Sequence, residues 1–214
     1  MGRYDWDSVL RGFDGQNRVI HPSAAKRDVK HEGEFGGGHL KCHCQISPIV
    51  VRVTTQVQHN HLCGCSQCWK PDGALFSQIA VVPQEAVAVI ENGDKLGLVD
   101  PSSMIRRYAC RDCGVHMVGR IESNTHSFYG LDFIHTELSE EKGWAGPTFA
   151  AYVSSVLETG FPADQMSYLR AQLRALGLEP YDCLSPDLMD VISHHAYFRS
   201  RSHGRRDSAE VAVG

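Results

Sequence analysis

The chain has 214 residues and a formal net charge of −4 at pH 7. At roughly 150 residues per domain, that length fits one globular domain with additions. The 42% hydrophobic and 21% charged residues exclude the disordered, fibrous and membrane classes. The negative charge argues against a nucleic-acid surface, and we interpret the single dense basic run, Arg199–Arg206, as a solvated tail.

Two further features bear on the compartment. No segment supplies the roughly 18 apolar residues that cross a membrane, and the charged stretch Met1–Arg18 lacks the apolar region of a signal peptide. We therefore expect a cytoplasmic protein with no membrane partner. In that compartment the eight cysteines favour metal ligation over a disulfide framework, because cytosolic thiols are kept reduced.

The first two thirds of the chain contain mostly β signals. Residues 1–35 lack sustained periodicity, which predicts an N-terminal arm, and residues 36–145 are predicted as a β zinc-binding domain. Val51, Val53 and Val57 alternate with polar residues, as on a half-buried strand. Further predicted strands are Leu75–Val81, Ala86–Glu91, Met104–Ala109, Val115–Ile121 and Phe128–Ile134.

From residue 146 the apolar period becomes helical. This predicts a helical extension over 146–199, packed on the β domain, and a flexible tail over 200–214. A first helix is predicted from Pro147 to Glu158. A second follows Pro162, carries apolar residues at three- and four-residue spacing and stops at Gly177, and a third starts at Pro186.

Seven of the eight cysteines occur in three groups. These are Cys42 with Cys44, Cys63 with Cys65 and Cys68, and Cys110 with Cys113. Structural zinc takes four protein ligands in a closed tetrahedron, whereas catalytic zinc takes three and leaves a position for water or substrate. The triplet can hold one ion from a single loop, and the two distant pairs can complete a four-cysteine site. The sequence therefore predicts two zinc ions per chain.

Several alternatives stay open at this point. The triplet could be free thiols beside a single zinc, or the cysteines could form a disulfide or iron–sulfur arrangement, although the usual Cys-x-x-Cys-x-x-Cys run is absent. A histidine could close the triplet's fourth position, and the candidates are His43, His59, His61 and His116. We interpret the isolated Cys183 as a buried small hydrophobe.

Four longer stretches include these cysteines or follow them. They are Gly38–Cys44 (GHLKCHC), His59–Pro71 (HNHLCGCSQCWKP), Cys110–Met117 (CRDCGVHM) and Phe128–Leu138 (FYGLDFIHTEL). A fifth stretch, Gly177–Asp182 (GLEPYD), lies in the predicted helical extension. Together they resemble the glutathione-dependent formaldehyde-activating enzymes, whose zinc fold is shared with the centromere protein V group. We accordingly expect a mainly β fold: a zinc-stapled all-β sheet or barrel-like core with a C-terminal group of α-helices.

The resemblance also implies ligand sets and an activity. It implies a structural zinc on Cys42, Cys44, Cys110 and Cys113, and a catalytic zinc on Cys63, Cys65 and Cys68. The implied reaction is the zinc-dependent condensation of formaldehyde with glutathione to S-hydroxymethylglutathione, a carbon–sulfur lyase reaction in reverse. It would feed formaldehyde detoxification through a dehydrogenase that consumes the adduct.

Further side chains are candidates for binding and proton transfer. Glutathione carries two carboxylates and one ammonium group, so its expected contacts are the basic residues Lys70, Arg106, Arg111 and Arg120. The candidate proton relays are His61, His116 and Asp132. Two other functions stay open: a carrier of glutathione or of the adduct without catalysis, and a structural zinc module that binds a partner.

Overall fold

The computed structural model describes residues 18–23 and 35–210, with side chains described as far as residue 199. This part of the chain is mainly β with C-terminal α-helices, which confirms the expected fold class. Its strands are β1 Gly38–Lys41, β2 Val50–Val53, β3 Gln58–Cys63, β4 Ser77–Pro83, β5 Val87–Glu91, β6 Leu96–Leu98, β7 Arg106–Cys110, β8 His116–Arg120, β9 Leu131–Ile134, β10 Phe149–Ala151 and β11 Glu179–Pro180. None of the helices described is long and apolar enough to cross a membrane.

The strands form two sheets. The larger has the order β11-β10-β3-β4-β9-β8-β7-β6, and the smaller has the order β1-β2-β5. One apolar core joins them, with fully buried Leu40 and Val51 from the smaller sheet and Ala80, Met117 and Ile134 from the larger. This core therefore holds β1 and β7, which lead into two of the cysteine groups, whereas β3 packs through Leu62 into a second apolar cluster with Ala150 and Val153.

The predicted helix from Pro147 to Glu158 is wrong. Phe149–Ala151 form β10, which runs parallel to β3 and pairs Ala151 with Cys63. All three β10 residues are at most 5% exposed, and a strand buried on both faces shows no alternation that distinguishes it from a helix. A 3₁₀ helix follows at Val153–Thr159. As a result, β10 supports the strand that ends at the cysteine triplet.

The other two predicted helices are present. Helix α1 spans Met166–Ala175, and Gly177 stops it in a left-handed conformation, with φ +65° and an N–H that donates to the carbonyl of Arg174 over 2.7 Å. Helix α2 begins at the predicted Pro186, where a missing N–H costs nothing, and runs to Glu210. Its backbone therefore continues into the stretch predicted as a tail, of which 211–214 lie outside the described residues.

A short piece of the predicted N-terminal arm packs into the fold. The N–H of Val19 donates to the carbonyl of Gly73 over 2.8 Å, and the N–H of Leu75 donates to the carbonyl of Val19 over 2.8 Å. The next two residues, Ile20 and His21, are completely buried. Residues 1–17 and 24–34 of the predicted arm lie outside the described residues.

Candidate active site and metal centres

Four cysteines from distant parts of the chain form one cluster, called here the four-cysteine site: Cys42, Cys44, Cys110 and Cys113. Their sulfurs all lie within 4.8 Å of one another, and those of Cys44 and Cys110 are 3.6 Å apart. The N–H of Ile49 donates to Cys42 Sγ over 3.1 Å. Gly114 has φ +74° and donates its N–H to the carbonyl of Cys110, which curls the turn around the sulfurs.

The other cluster, the three-cysteine site, consists of Cys63, Cys65 and Cys68. Cys63 ends β3, and the other two lie in the loop that follows. The sulfur of Cys68 is 3.6 Å from that of Cys65 and 3.8 Å from that of Cys63. Among the described residues, no histidine nitrogen or carboxylate oxygen lies within 4.8 Å of all three sulfurs. The three sulfurs are therefore the only metal-binding atoms of this cluster among those residues.

Both clusters have the spacing that zinc requires. Sulfurs at about 2.3 Å from a tetrahedral zinc ion lie about 3.8 Å from one another, close to the separations observed. Without a cation the sulfurs of the three-cysteine site share protons: the hydrogen bond between Cys63 and Cys65 raises the pKa of Cys63 well above the ordinary thiol value and lowers the pKa of Cys65 to about 2. Burial and the hydrogen bond with Cys110 likewise raise the pKa of Cys44 to about 12. The donor sets therefore fit one closed and one open zinc site.

The glycine between the first two cysteines of the triplet sets the path of the loop. The N–H of Gly64 donates to the carbonyl of Ala151 over 2.9 Å, and a Cβ at this position would lie 2.4 Å from the carbonyl oxygen of Tyr152. Backbone on both sides prevents an easy adjustment. The three-cysteine site thus depends on the pairing of β3 with β10.

We expect Gly64→Ala to destabilise the protein by about 1–3 kcal/mol, because the added methyl group separates β3 from the chain after β10. It should also lower zinc content at the three-cysteine site. Thermal unfolding and metal analysis measure the two effects. Gly146→Ala is the matched control, since a Cβ there meets nothing within 4 Å. Equal stability of the two variants would contradict this account.

A cavity of about 200 Å³ opens beside the triplet, and all three cysteines line it. We call it the apolar cavity, because aliphatic and aromatic side chains form most of its wall. Its polar lining residues, besides the cysteines, are His61, Arg107, His116, His135 and Tyr152. Tyr152 has φ +52°, an uncommon backbone conformation for a residue with a side chain.

Two of the three predicted proton relays line this cavity. His61 is 4% exposed, stacks on Phe149 with ring centroids 4.8 Å apart, and has a pKa lowered by burial to about 4. Burial, followed by the charges of His135 and Arg107, lowers the pKa of His116 to about 4. Both rings are therefore neutral at pH 7.

Asp132, the third predicted relay, does not reach the cavity. It is completely buried, and its carboxylate accepts two hydrogen bonds from Arg120, one of them 2.8 Å long from Nε. Leu131 and Phe133, its neighbours on β9, line the cavity. Since successive residues of a strand face opposite sides, the Arg120–Asp132 pair belongs to the other face of the sheet. This placement removes Arg120 from the cavity as well.

The remaining basic candidates lie in different places. Lys70 donates to the carbonyl of Cys65 over 2.6 Å, so it belongs to the triplet loop. Arg111 donates to the carbonyl of Asp94 on the exposed side of the four-cysteine site. Arg106 pairs with Glu122 at 3.5 Å and lines neither the apolar cavity nor the second one described below. Sequence reasoning missed its neighbour Arg107, whose Nη2 lies 4.0 Å from Cys68 Sγ.

A second cavity, the polar cavity, adjoins the first and has a volume of about 360 Å³. The two share Cys68, Ile105, Arg107 and His116. The remaining lining residues are Ser66, Gln67, Trp69, Val99, Asp100 and Ser103. It therefore offers a cation, an anion and several hydrogen-bonding groups beside the cysteine triplet.

The sequence reasoning also missed a buried charge relay behind the cavity. His135, 4% exposed, has its Nδ1 3.5 Å from Glu137 Oε1, and His21 Nε2 lies 3.6 Å from the same oxygen. Burial alone would raise the pKa of Glu137, but the two histidines outweigh it and hold the pKa at about 2. Thr136–Leu138 form a 3₁₀ helix directly after His135, and this turn brings the carboxylate of Glu137 near the His135 ring.

The isolated Cys183 differs from its interpretation. Its side chain is exposed rather than buried, and its thiol donates to the carbonyl of Leu184 over 3.2 Å. The turn between β11 and α2 leaves it at the surface, while Leu184 occupies the apolar position beside it. Neither metal-type cluster includes Cys183.

Comparisons with known proteins identify the family of this chain. A Fusarium vanettenii protein named "Putative glutathione-dependent formaldehyde-activating enzyme" is 54% identical over 174 residues, which cover 81% of this chain and 93% of that protein. The chain is also similar to a crystal structure of a Rhodobacter sphaeroides protein, with 16% identity and a TM-score of 0.38, over 67% of this chain and 98% of that one. The family model of the glutathione-dependent formaldehyde-activating enzyme matches residues 38–155, a span that contains both cysteine clusters. This chain therefore belongs to the family of glutathione-dependent formaldehyde-activating enzymes.

Proposed function

We propose that this protein condenses formaldehyde with glutathione to S-hydroxymethylglutathione, acting as a carbon–sulfur lyase in the reverse direction. One observation supports this most directly: three sulfurs at zinc-ligand spacing line a cavity that a small substrate can enter. The reaction would take place in the cytoplasm, where glutathione is abundant. The product would pass to a dehydrogenase and so contribute to formaldehyde detoxification.

The two cysteine clusters would hold zinc ions with different roles, one structural and one catalytic. The four-cysteine site would hold a structural zinc with no free position, and the three-cysteine site would hold a second zinc with one position open to the cavity. Zinc bound there would favour the ionised form of a thiol near pH 7. The residues around it then have to place the aldehyde and move one proton.

The reaction moves one proton from sulfur to oxygen, and a histidine beside the cavity can carry it. The glutathione S–H bond breaks, a C–S bond forms, and the carbonyl oxygen of formaldehyde gains a proton. A group that takes the proton from sulfur can return it to oxygen. His135 fits best, because Glu137 Oε1 lies 3.5 Å from its Nδ1 and the carboxylate would stabilise an imidazolium.

Glutathione itself fits the polar cavity better than the apolar one. At about 360 Å³ the polar cavity lies within the usual size range of small-molecule sites. Arg107 can pair with a carboxylate and Asp100 with the ammonium group. Because Cys68 borders both cavities, a thiol bound from the polar side can reach the three-cysteine site.

The decisive experiment is exchange spectroscopy on formaldehyde, glutathione and their adduct at equilibrium. The uncatalysed reaction already proceeds, so the zinc-loaded protein must accelerate adduct formation and breakdown equally, at substoichiometric concentration. Saturable one-to-one binding of the adduct without faster exchange would instead identify a carrier. Absence of glutathione binding would leave only a structural zinc module.

Arg107→Leu should raise the KM for glutathione at least tenfold, because a charge-assisted contact with a carboxylate contributes about 1.5–3 kcal/mol. Arg106→Leu is the matched control on the same strand, paired with Glu122 outside both cavities. Its KM should stay within about twofold of the parent value. Steady-state kinetics with varied glutathione measures both, and equal effects would place the carboxylate contact elsewhere.

A further inference from the structure

The apolar cavity is much larger than formaldehyde requires. Its volume is about 200 Å³. An engineered apolar cavity of about 150 Å³ holds benzene, with six carbon atoms, whereas a molecule of water occupies about 30 Å³ in the liquid. Formaldehyde has only two non-hydrogen atoms, so it would leave most of the space empty.

The walls of this cavity are also unsuited to glutathione. Val81, Val118 and Phe133 line it from the larger sheet, and Leu188 and Ile192 line it from α2. Burying the carboxylates or the ammonium group of glutathione against these five side chains would be unfavourable, because aliphatic and aromatic groups do not replace the lost hydration. An aliphatic or aromatic group is the ligand chemistry that these walls match.

The apolar cavity is adjacent to the three-cysteine site, so an apolar group bound in it would lie near the reacting atoms. The three cysteines, His116 and His135 line the same cavity. The polar cavity meets it at Cys68 and Arg107, so a peptide thiol and a carbon chain can approach the same sulfur site from two sides. The apolar group therefore belongs to the molecule that reacts with the thiol.

We propose that this site adds the glutathione thiol to apolar aldehydes of about six to eight carbon atoms, with the carbon chain between the sheet and α2. The inference rests on the proposed function for its thiol and its proton transfer. The S–H bond breaks, the sulfur bonds to the carbonyl carbon, and the carbonyl oxygen takes the proton, which gives a hemithioacetal without any oxidant or reductant.

The first test compares hexanal with formaldehyde as the aldehyde that reacts with glutathione. The expected kcat/KM for hexanal is at least tenfold higher than for formaldehyde. Ile192→Trp should lower the ratio of the two values at least tenfold by filling the cavity. Val191→Trp is the matched control on the same helix, because Val191 is 41% exposed and lines neither cavity. A hexanal value at or below that for formaldehyde overturns the inference.

Binding of the unreactive probe 1-hexanol gives a second measurement that needs no catalysis. Calorimetry should detect one saturable site in the parent protein, and Ile192→Trp should weaken it at least tenfold. No binding to the parent protein overturns the inference even if the variant fails to fold.

The rates with formaldehyde and with hexanal distinguish failure of the proposed function from failure of this inference. Acceleration with formaldehyde but not with hexanal leaves the proposed function and overturns this inference. Acceleration with hexanal alone supports this inference and overturns formaldehyde as the substrate. Acceleration with neither aldehyde overturns both.

Discussion

Cys113→Ser is expected to unfold the protein, whereas Cys65→Ser is expected to leave it folded with about half of its zinc. The four-cysteine site joins the end of β1 to the turn between β7 and β8, and Cys42 and Cys110 are 5% and 1% exposed within the main core. Zinc binding at a closed structural site contributes about 10–16 kcal/mol, comparable to the whole stability of a domain. Loss of one ligand should therefore remove cooperative folding.

The three-cysteine site stabilises much less of the fold. Its ligands lie at the end of β3 and in the loop that follows, and a hydrogen bond from the N–H of Gly64 to the carbonyl of Ala151 in β10 holds that loop independently of a metal. Cys65 itself is only partly buried. Its replacement should thus reduce metal occupancy without exposing the core.

Metal analysis by mass spectrometry and thermal circular dichroism measure these two outcomes. The parent protein should contain about two zinc ions per chain. Cys183→Ser is the control, because this cysteine is exposed and belongs to neither cluster, and it should change neither zinc content nor unfolding temperature. Equal collapse of the Cys65 and Cys113 variants would contradict the distinction between an open and a closed site.

The sequence predicted the parts of the site that depend on short spacing. The grouping of four and three cysteines follows from ligand counting, because the Cys-x-Cys and Cys-x-x-Cys intervals already restrict which sulfurs can meet. The stop of α1 at Gly177 is similarly local. The helix stop and each Cys-x-Cys or Cys-x-x-Cys interval concern atoms a few residues apart, for which the chain has few conformations available. The meeting of Cys44 with Cys110, 66 residues away, was instead predicted by counting ligands.

Other features depend on contacts between residues far apart in the chain, which the spacing of residue types along the sequence does not predict. The pairing of β7 with β8 shifts its register between Tyr108 and Ala109, so a count along the strand from Cys110 cannot decide which of two neighbouring arginines faces the cavity. β10 owes its conformation to the strands on either side of it. His21 meets Glu137 only because the segment at residue 19 packs beside Ala74.

We expect His135→Gln to lower the catalysed exchange rate about 100-fold, because general acid–base catalysis typically contributes between 10² and 10⁴. Glutamine keeps the polarity of the side chain but cannot carry the proton between sulfur and oxygen. Glu137→Gln should lower kcat about tenfold by removing the charge that stabilises the imidazolium. In both variants zinc content should remain at the parent level, and exchange spectroscopy should report the loss in both directions.

A surface pair provides the matched control for these variants. His39 and Glu141 form the same kind of contact at 2.8 Å, but both are exposed and line neither cavity. His39→Gln and Glu141→Gln should leave the exchange rate within about twofold. Parent-level exchange in His135→Gln would exclude this histidine as the proton carrier and return the role to His116.

The last contact of this relay lies outside the span matched by the family model, which begins at residue 38. His21 is completely buried and lies 3.6 Å from Glu137, so it positions the carboxylate without reaching the cavity. His21→Ala should lower kcat about three- to tenfold at unchanged KM, while His21→Gln restores part of the rate if a hydrogen-bond donor to Glu137 is sufficient. Unchanged kcat in the alanine variant would show that His135 and Glu137 suffice, whereas a rise in KM alone would indicate a structural role for the N-terminal segment.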